Sequence, residues 1–448
     1  MTITEKFACA ARLRNVWVCL CIFLLAVGVR FLVWQNNKAD IENLMSGVTQ
    51  GYLVDTKSLL SNDIEKFLAG ADPPVDADVL AHPPGYPLLI AAVYALFGEN
   101  DPVFRATQLL LNSISPVLVF LIGASLFDFR VGVIAGLLAA VSPQAAYYSS
   151  VILPDQLSVL PILLAIYLLA QAVRNKKISL VIFCGISIGL SCWLRSNALL
   201  LPLFFAGVVL VLFPKESRLK MSLVLLASFV LTISPITIRN YFVFQTFIPL
   251  SLGSGTTLIE GLGDAGFDLP STDEGVMEFD ARRFERPYYY GNLYSPDGIE
   301  REKDRIKVGL SVIKASPGWF LASVLQRGFT TFRMERVPVI ATQQEAKDGI
   351  NPIIYYLNLP LRLFQKIFIT AVFFPLFLFG TILLLQTKEQ RFKFAILAVV
   401  PIYYASVQPL LHTEYRYLLP ASHALLIVSS VSLSALVGWI QKIKLSNI

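Results

Sequence analysis

The chain has 448 residues, 55% of them hydrophobic and only 15% charged, with a formal net charge of +6. A soluble chain carries nearer a quarter charged residues, and apolar runs of membrane-spanning length recur along most of this one, so the composition excludes a soluble globular protein. The fold class is an all-α polytopic membrane protein. The positive balance is not a nucleic-acid footprint, because Lys and Arg gather in short loops between apolar runs, where they set topology.

The first predicted span, 16–34, follows Lys6, Arg12 and Arg14. No small-residue cleavage site follows it, so it reads as an uncleaved signal anchor. The segment 35–104 then forms a first loop. It is acidic over 40–78, with a predicted helix over 55–69 headed by Asp55 and a short apolar helix over 87–97 behind Pro83 and Pro84. At 1.5 Å per residue a crossing needs about twenty residues, and this short helix falls well below that.

Further spans are predicted at 105–127, 131–148, 156–173, 178–194, 197–213, 219–238, 367–386, 393–411 and 417–440, about ten transmembrane helices in all. Between 241 and 366 lies a second large loop. It holds Gly-rich turn material at "GSGTTLIEGLGDAG", the aromatic stretch "ERPYYYGNLYSPDG", and amphipathic helices over 301–314 and 317–333. The organisation is therefore an N-terminal module over 1–240, the second loop over 241–366, and C-terminal helices over 367–448. Cysteines at 9, 19, 21, 184 and 192 lie in or beside apolar runs, with no CxxC pair and no sign of a disulfide framework.

The basic loops "RNKK", "PKESRLK" and "TKEQRFK" mark the cytoplasmic side. They share that side with the basic N-terminus and the Lys442/Lys444 tail only if 83–98 lies in the membrane interface rather than crossing it. Both large loops then face outside. Asp55, His82, Asp155, Arg195, Arg239, His412, Glu414, Arg416 and Tyr417 all fall at the outward ends of the helices.

Singly, these residues have plain structural readings. Asp55 and Asp155 suit helix caps, Arg195 and Arg239 suit snorkelling side chains, and Glu414 and Arg416 suit a local pair. Together, one-sided, they suggest an active site at the outer face. Transfer of a sugar from a lipid-linked phosphate fits such a set. Its leaving group is already a stable anion and needs cations, not a general acid, while the acceptor hydroxyl needs one carboxylate base. The carboxylates singled out there, Asp55 and Asp155, are isolated from one another in the sequence, so a divalent metal is not expected, and no other cofactor is implied.

Several motifs resemble the membrane-embedded glycosyltransferases of the C superfamily, family 39 in particular. These include dolichyl-phosphate-mannose–protein mannosyltransferases and aminoarabinose transferases. The motifs are "DTKSLLSNDIEKFLAG" with Asp55 and Gly70, "HPPGYPLLIAAVYALFG" and "FRATQLLLNSISP". Four more follow: "SPQAAYYSSVILPDQ" with Asp155, "WLRSNALLLP", "IRNYFVFQTFIPLS" and "EYRYLLPA".

The resemblance implies a polyprenyl-phosphate sugar donor, transfer to a lipid, glycan or protein acceptor, and inverting single displacement. Asp55 would be the catalytic base. Asp155, His82, Arg195, Arg239, Glu414, Arg416 and Tyr417 would bind substrate. It also implies residence in a bacterial inner membrane with the site facing the periplasm, and a short helix that walls the lipid-phosphate cavity. Asp55 departs from the mannosyltransferases in being followed by Thr56 rather than a second acid.

Two other functions compete. A transporter or flippase would place charges at span centres inside broken helices, and the predicted spans are almost free of charge there. A polysaccharide polymerase or ligase using lipid-linked sugars differs here only by the Asp55 helix and the Pro-Pro element.

Overall fold

The structure, a computed structural model, describes residues 3–36, 46–60, 80, 82–272, 275–276, 278–279, 298–330, 333–334 and 352–446. Among these the secondary structure is entirely helical. The chain opens with α1 (Ile3–Asn36), α2 (Ser46–Leu60) and α3 (Gly85–Phe97). Helices α4 (Asp101–Asn112) and α5 (Ile114–Leu126) together make one long span, and α6 (Phe129–Val141) runs into α7 (Pro143–Ser150). Next come α8 (Val159–Asn175), α9 (Ile178–Leu194), α10 (Leu201–Leu212) and α11 (Lys215–Phe244). The second loop supplies α12 (Ser254–Asp264), α13 (Gly298–Ala315) and α14 (Pro317–Thr330). Finally α15 (Pro352–Gln365), α16 (Thr370–Leu385), α17 (Lys388–Val407) and α18 (Leu419–Ser446) complete the set.

Every predicted span corresponds to a helix, but not every one is a full crossing. Five helical stretches are long and apolar enough to span, rising to eight when three bent pairs are each taken as one. Helices α8 and α9 have 17 residues each, at the lower end of spanning length. The span predicted over 131–148 is broken, bending by 48° between α6 and α7, where Pro143 cannot donate to the preceding turn. Helices α13 and α14 meet at 105°, as two separate helices of the second loop.

The bundle packs through small residues. Helices α5 and α6 approach so closely at Gly132 that a Cβ there would lie 2.7 Å from the Phe120 carbonyl oxygen. That is the close backbone contact glycine allows between membrane helices. One apolar core joins α5, α6, α8 to α11 and α16 to α18, and a second, smaller one joins α1 to α4 and α7. The second core positions the site. Helix α3 buries Tyr86, Ile90, Val93 and Tyr94, a stripe at helical spacing, against α2 and α4. Its other face exposes Leu88, Leu96 and Phe97, which suits a helix lying in a membrane interface. With 13 residues it is too short to cross, as its sequence led one to expect.

One boundary differs from expectation. The helix predicted over 55–69 runs instead over Ser46–Leu60, so Asp55 sits inside it and does not head it. Tyr52, Thr56 and Leu59 form its buried stripe, and packing on α3 outweighs the poor helix propensity of Gly47 and Gly51. Residues 61–69, Gly70 and the aromatic stretch 285–297 lie outside the described residues. Cys19, Cys21, Cys184 and Cys192 are free thiols.

Candidate active site

A cavity of about 610 Å³ opens where α2, the approach to α3, the α9–α10 turn, α12, α13 and the α17–α18 turn meet. Its charged lining includes His82, Arg195, Glu302, Arg305, Glu414 and Arg416. Two loops far apart in sequence close one wall, where the Leu252 amide donates to the Leu80 carbonyl at 2.7 Å.

Asp155 lies outside the lining, against the lining residues Arg195 and Arg416. It lies in the turn between α7 and α8, where Ser158 N–H closes on the Pro154 carbonyl at 2.8 Å. Its side chain is fully buried, and Arg195 Nη1 lies 2.7 Å from Oδ1. Arg416 Nε is 4.0 Å from the same oxygen. Asp155 therefore gathers two guanidinium groups and is no mere cap. A buried carboxylate needs such partners to remain charged.

Glu414 grips Arg416 from the other side through two contacts, Nε to Oε2 at 2.6 Å and Nη2 to Oε1 at 2.8 Å. Of the two, the Nη2 contact is a hydrogen bond, and the pair is a close, charge-assisted one. The Tyr417 hydroxyl donates to Glu414 Oε1 at 3.1 Å, and the Arg195 guanidinium stacks over the Tyr417 ring at 4.4 Å. Among the described residues Arg416 Nη1 has no hydrogen-bond partner.

His412 extends the network outward. Its Nδ1 donates to Asp264 at the end of α12, 2.7 Å away, and its Nε2 lies 3.6 Å from Glu414. Burial works against the His412 cation, yet Glu414 and Asp264 outweigh it and raise its pKa. For Glu414 burial raises the pKa, but His412 and Arg416 bring it down to about 2.

Asp55 and His82 form a second group. Oδ2 of Asp55 is 3.5 Å from His82 Nδ1, and the Asp55 side chain is 13% exposed. Burial pushes the Asp55 carboxyl up, and His82 partly offsets this. His82 stacks on Tyr52, with ring centroids 4.1 Å apart, and both rings line the cavity. Asp55 itself lies just behind them and is not among the lining residues.

The structure thus brings together eight of the nine residues singled out in the sequence, in two clusters at one cavity. Arg239 stands apart. It closes α11, donates to the Asn240 side chain at 2.9 Å and lies over Phe244, away from the cavity lining. Its neighbour Asn240 is the one that shapes the site, by donating to the Ile248 and Leu250 carbonyls of the lining loop at 3.0 Å each. Sequence reasoning missed Tyr52, Asp264, Glu302 and Arg305. All four sit on loop helices whose contacts are long-range, and no local motif marks them. Among the described residues no group of three or more His, Cys, Asp or Glu converges as a metal site would require.

Comparison with known proteins places this architecture. Residues 81–238 match the family described as dolichyl-phosphate-mannose-protein mannosyltransferase. No curated protein matches the chain in sequence. In fold, the chain is similar to the archaeal oligosaccharyltransferase AglB from Archaeoglobus fulgidus, solved with an inhibitory peptide and a dolichol-phosphate. The TM-score is 0.54 at 14% identity, over 99% of this chain and 52% of that one. The apo form of the Archaeoglobus fulgidus oligosaccharyltransferase gives 0.53 at 13% identity, over 97% and 52%. ArnT from Cupriavidus metallidurans, solved with undecaprenyl phosphate, gives 0.34 at 15% identity over 95% and 78%, too low a score to carry weight. The chain therefore spans about half the length of the oligosaccharyltransferases whose fold it shares. By the sequence of 81–238 and by its fold, it resembles the membrane-embedded glycosyltransferases of the C superfamily, in keeping with its motifs.

Proposed function

We propose that the protein transfers a sugar from a polyprenyl-phosphate donor to an acceptor hydroxyl, by inverting single displacement at the outer face of the membrane. The observation that carries this reading is the pair Arg195 and Arg416, both directed at one buried carboxylate beside the cavity. Asp155 and Glu414 hold the two cations in place, and both arginines line the cavity. Guanidinium groups beside the cavity suit the phosphate oxygen on which charge grows as the glycosidic bond breaks. The acceptor oxygen attacks the anomeric carbon, the bond to the phosphate oxygen breaks, and the acceptor proton passes to Asp55. The raised pKa of Asp55 suits a base operating near neutrality.

A second reading of the base rests on one distance. His82 faces the cavity and Asp55 stands 3.5 Å behind its Nδ1, so His82 would take the proton with Asp55 orienting the ring. Under either reading no divalent ion is needed. Oδ1 of Asp155 lies against Arg195 and Arg416, two cations that disfavour a metal ion beside it.

The test supplies membranes containing the protein with a panel of radiolabelled prenyl-phosphate sugars, with and without chelator. One donor should lose its label to an endogenous acceptor, chelator should not matter, and Arg416→Lys should slow transfer about tenfold or more because bidentate geometry is lost while charge stays. A wild-type rate in Arg416→Lys removes Arg416 from the phosphate site. Failure of every donor overturns the reading.

A further inference from the structure

The two carboxylates of the site, Asp55 and Asp155, belong to different parts of the chain, yet one buried side chain connects them. Gln108 on α4 is fully buried. Its Nε2 donates to the Ser149 carbonyl at 3.0 Å and to the Val151 carbonyl at 2.6 Å. Its Oε1 accepts from the Tyr86 hydroxyl. Both amide hydrogens and the amide oxygen are thus engaged, and the group has only one way to sit.

On one side Gln108 governs the turn that carries Asp155. The last carbonyls of a helix have no partner within it. At the end of α7 the partners come from other helices: Gln108 bonds residues 149 and 151, and Arg105 Nη1 donates to the Ser150 carbonyl at 2.8 Å. From α1, the fully buried Arg30 donates through Nε to Ser149 Oγ at 3.1 Å. The chain leaves this clamp through Leu153 N–H to the Val151 carbonyl, at 2.8 Å, and enters the Asp155 turn directly.

On the other side, the Tyr86 ring that bonds Gln108 packs edge-on against Tyr52, 5.1 Å between centroids. Tyr52 in turn stacks on His82, which lies against Asp55. A continuous path therefore runs from Asp55 through His82, Tyr52, Tyr86 and Gln108 to the backbone that presents Asp155. We propose that Gln108 is a positioning residue that fixes the Asp55–His82 pair relative to the Asp155–Arg195–Arg416 cluster, so that acceptor oxygen and donor phosphate meet in one geometry. This rests on the functional reading above. Gln108 touches no substrate. Its effect is through placement, and a displacement of about 1 Å between reacting groups can cost about a hundredfold in rate.

Two variants test this in the reconstituted full chain. Gln108→Leu removes both links. Tyr86→Phe removes one hydroxyl, keeps the ring stacking, and leaves little risk to the fold. Per folded molecule, kcat should fall about tenfold or more in Gln108→Leu and severalfold in Tyr86→Phe, with the acceptor KM nearly unchanged. Amide hydrogen exchange should quicken in Tyr86→Phe at both 52–60 and 151–158, the two stretches the path joins.

A merely structural role predicts fewer folded molecules with wild-type kcat and KM each, and that result overturns the proposal. So does faster exchange confined to one of the two stretches, or none at all. If Gln108→Leu does not fold, Tyr86→Phe decides alone. If the wild-type protein uses no prenyl-phosphate sugar, the functional reading falls, while exchange at the two stretches still decides whether Gln108 couples them.

Discussion

Asp55 is the tenth of the fifteen residues of α2, and that position separates the two roles its sequence allowed. A cap sits outside the first turn; Asp55 does not, so a capping contribution is gone and a chemical one is left to test. Asp55→Asn should fold with an unchanged thermal midpoint and lose transfer by about a hundredfold or more. The pH profile identifies the proton acceptor. With Asp55 as base, the rate rises with pH through its raised pKa, above the usual carboxylate range. His82 lowers that pKa, so His82→Gln should move the acid limb to still higher pH. Disappearance of the limb in His82→Gln would instead make His82 the base. The same shift has a stability sign. A carboxyl whose folded pKa is raised stabilises the fold below its unfolded pKa, and that contribution is lost as pH climbs through the folded one. Residue-level legibility followed sequence distance. Glu414 and Arg416 are two apart and pair as their spacing allowed. His412 and Asp264 are 148 apart, and no periodicity or motif foretells that contact.

Elements were legible wherever apolar length alone defines them, and less so where packing decides. The predicted spans match helices because a bilayer demands runs that few other structures contain. Helix α2 was misplaced because its stripe of Tyr52, Thr56 and Leu59 includes a polar residue. The Thr56 hydroxyl is satisfied within the helix, by the Tyr52 carbonyl at 2.7 Å. The start of α3 shows how an element boundary controls the site. A Cβ on Gly85 would lie 2.6 Å from the Trp193 carbonyl oxygen, at the end of α9. His82 precedes this contact by three residues on one side, and Arg195 follows it by two on the other. Gly85→Ala should therefore push the two clusters apart. Overpacking against backbone costs about 1–3 kcal/mol, so a lowered thermal midpoint should come with a disproportionate loss of transfer. A variant as active per folded molecule as wild type would show that this close approach does not set the distance between them.

At the scale of the whole molecule, the helices run between two chemically distinct ends. Helix α8 leads from the Asp155 turn to Lys176, and α9 leads back from Lys177 to Arg195. Helix α17 starts at Lys388 and ends at Val407, which lines the cavity. The basic loops are therefore at the end opposite the cavity. Lys and Arg in short loops stay on the cytoplasmic side, which would turn the cavity outward, as the proposed function requires. The short α3 is what keeps this count consistent, since one additional crossing would reverse every later loop relative to the N-terminus. Cysteines introduced at Ser254 and Thr272, both exposed on the cavity side, should react in intact cells with an impermeant thiol reagent. Cysteines at Lys177 and at Glu389, whose side chain is 77% exposed, should react only after the membrane is opened. Labelling of positions 177 and 389 from outside, with 254 and 272 protected, would place the cavity on the cytoplasmic face and require a donor assembled and consumed on that side.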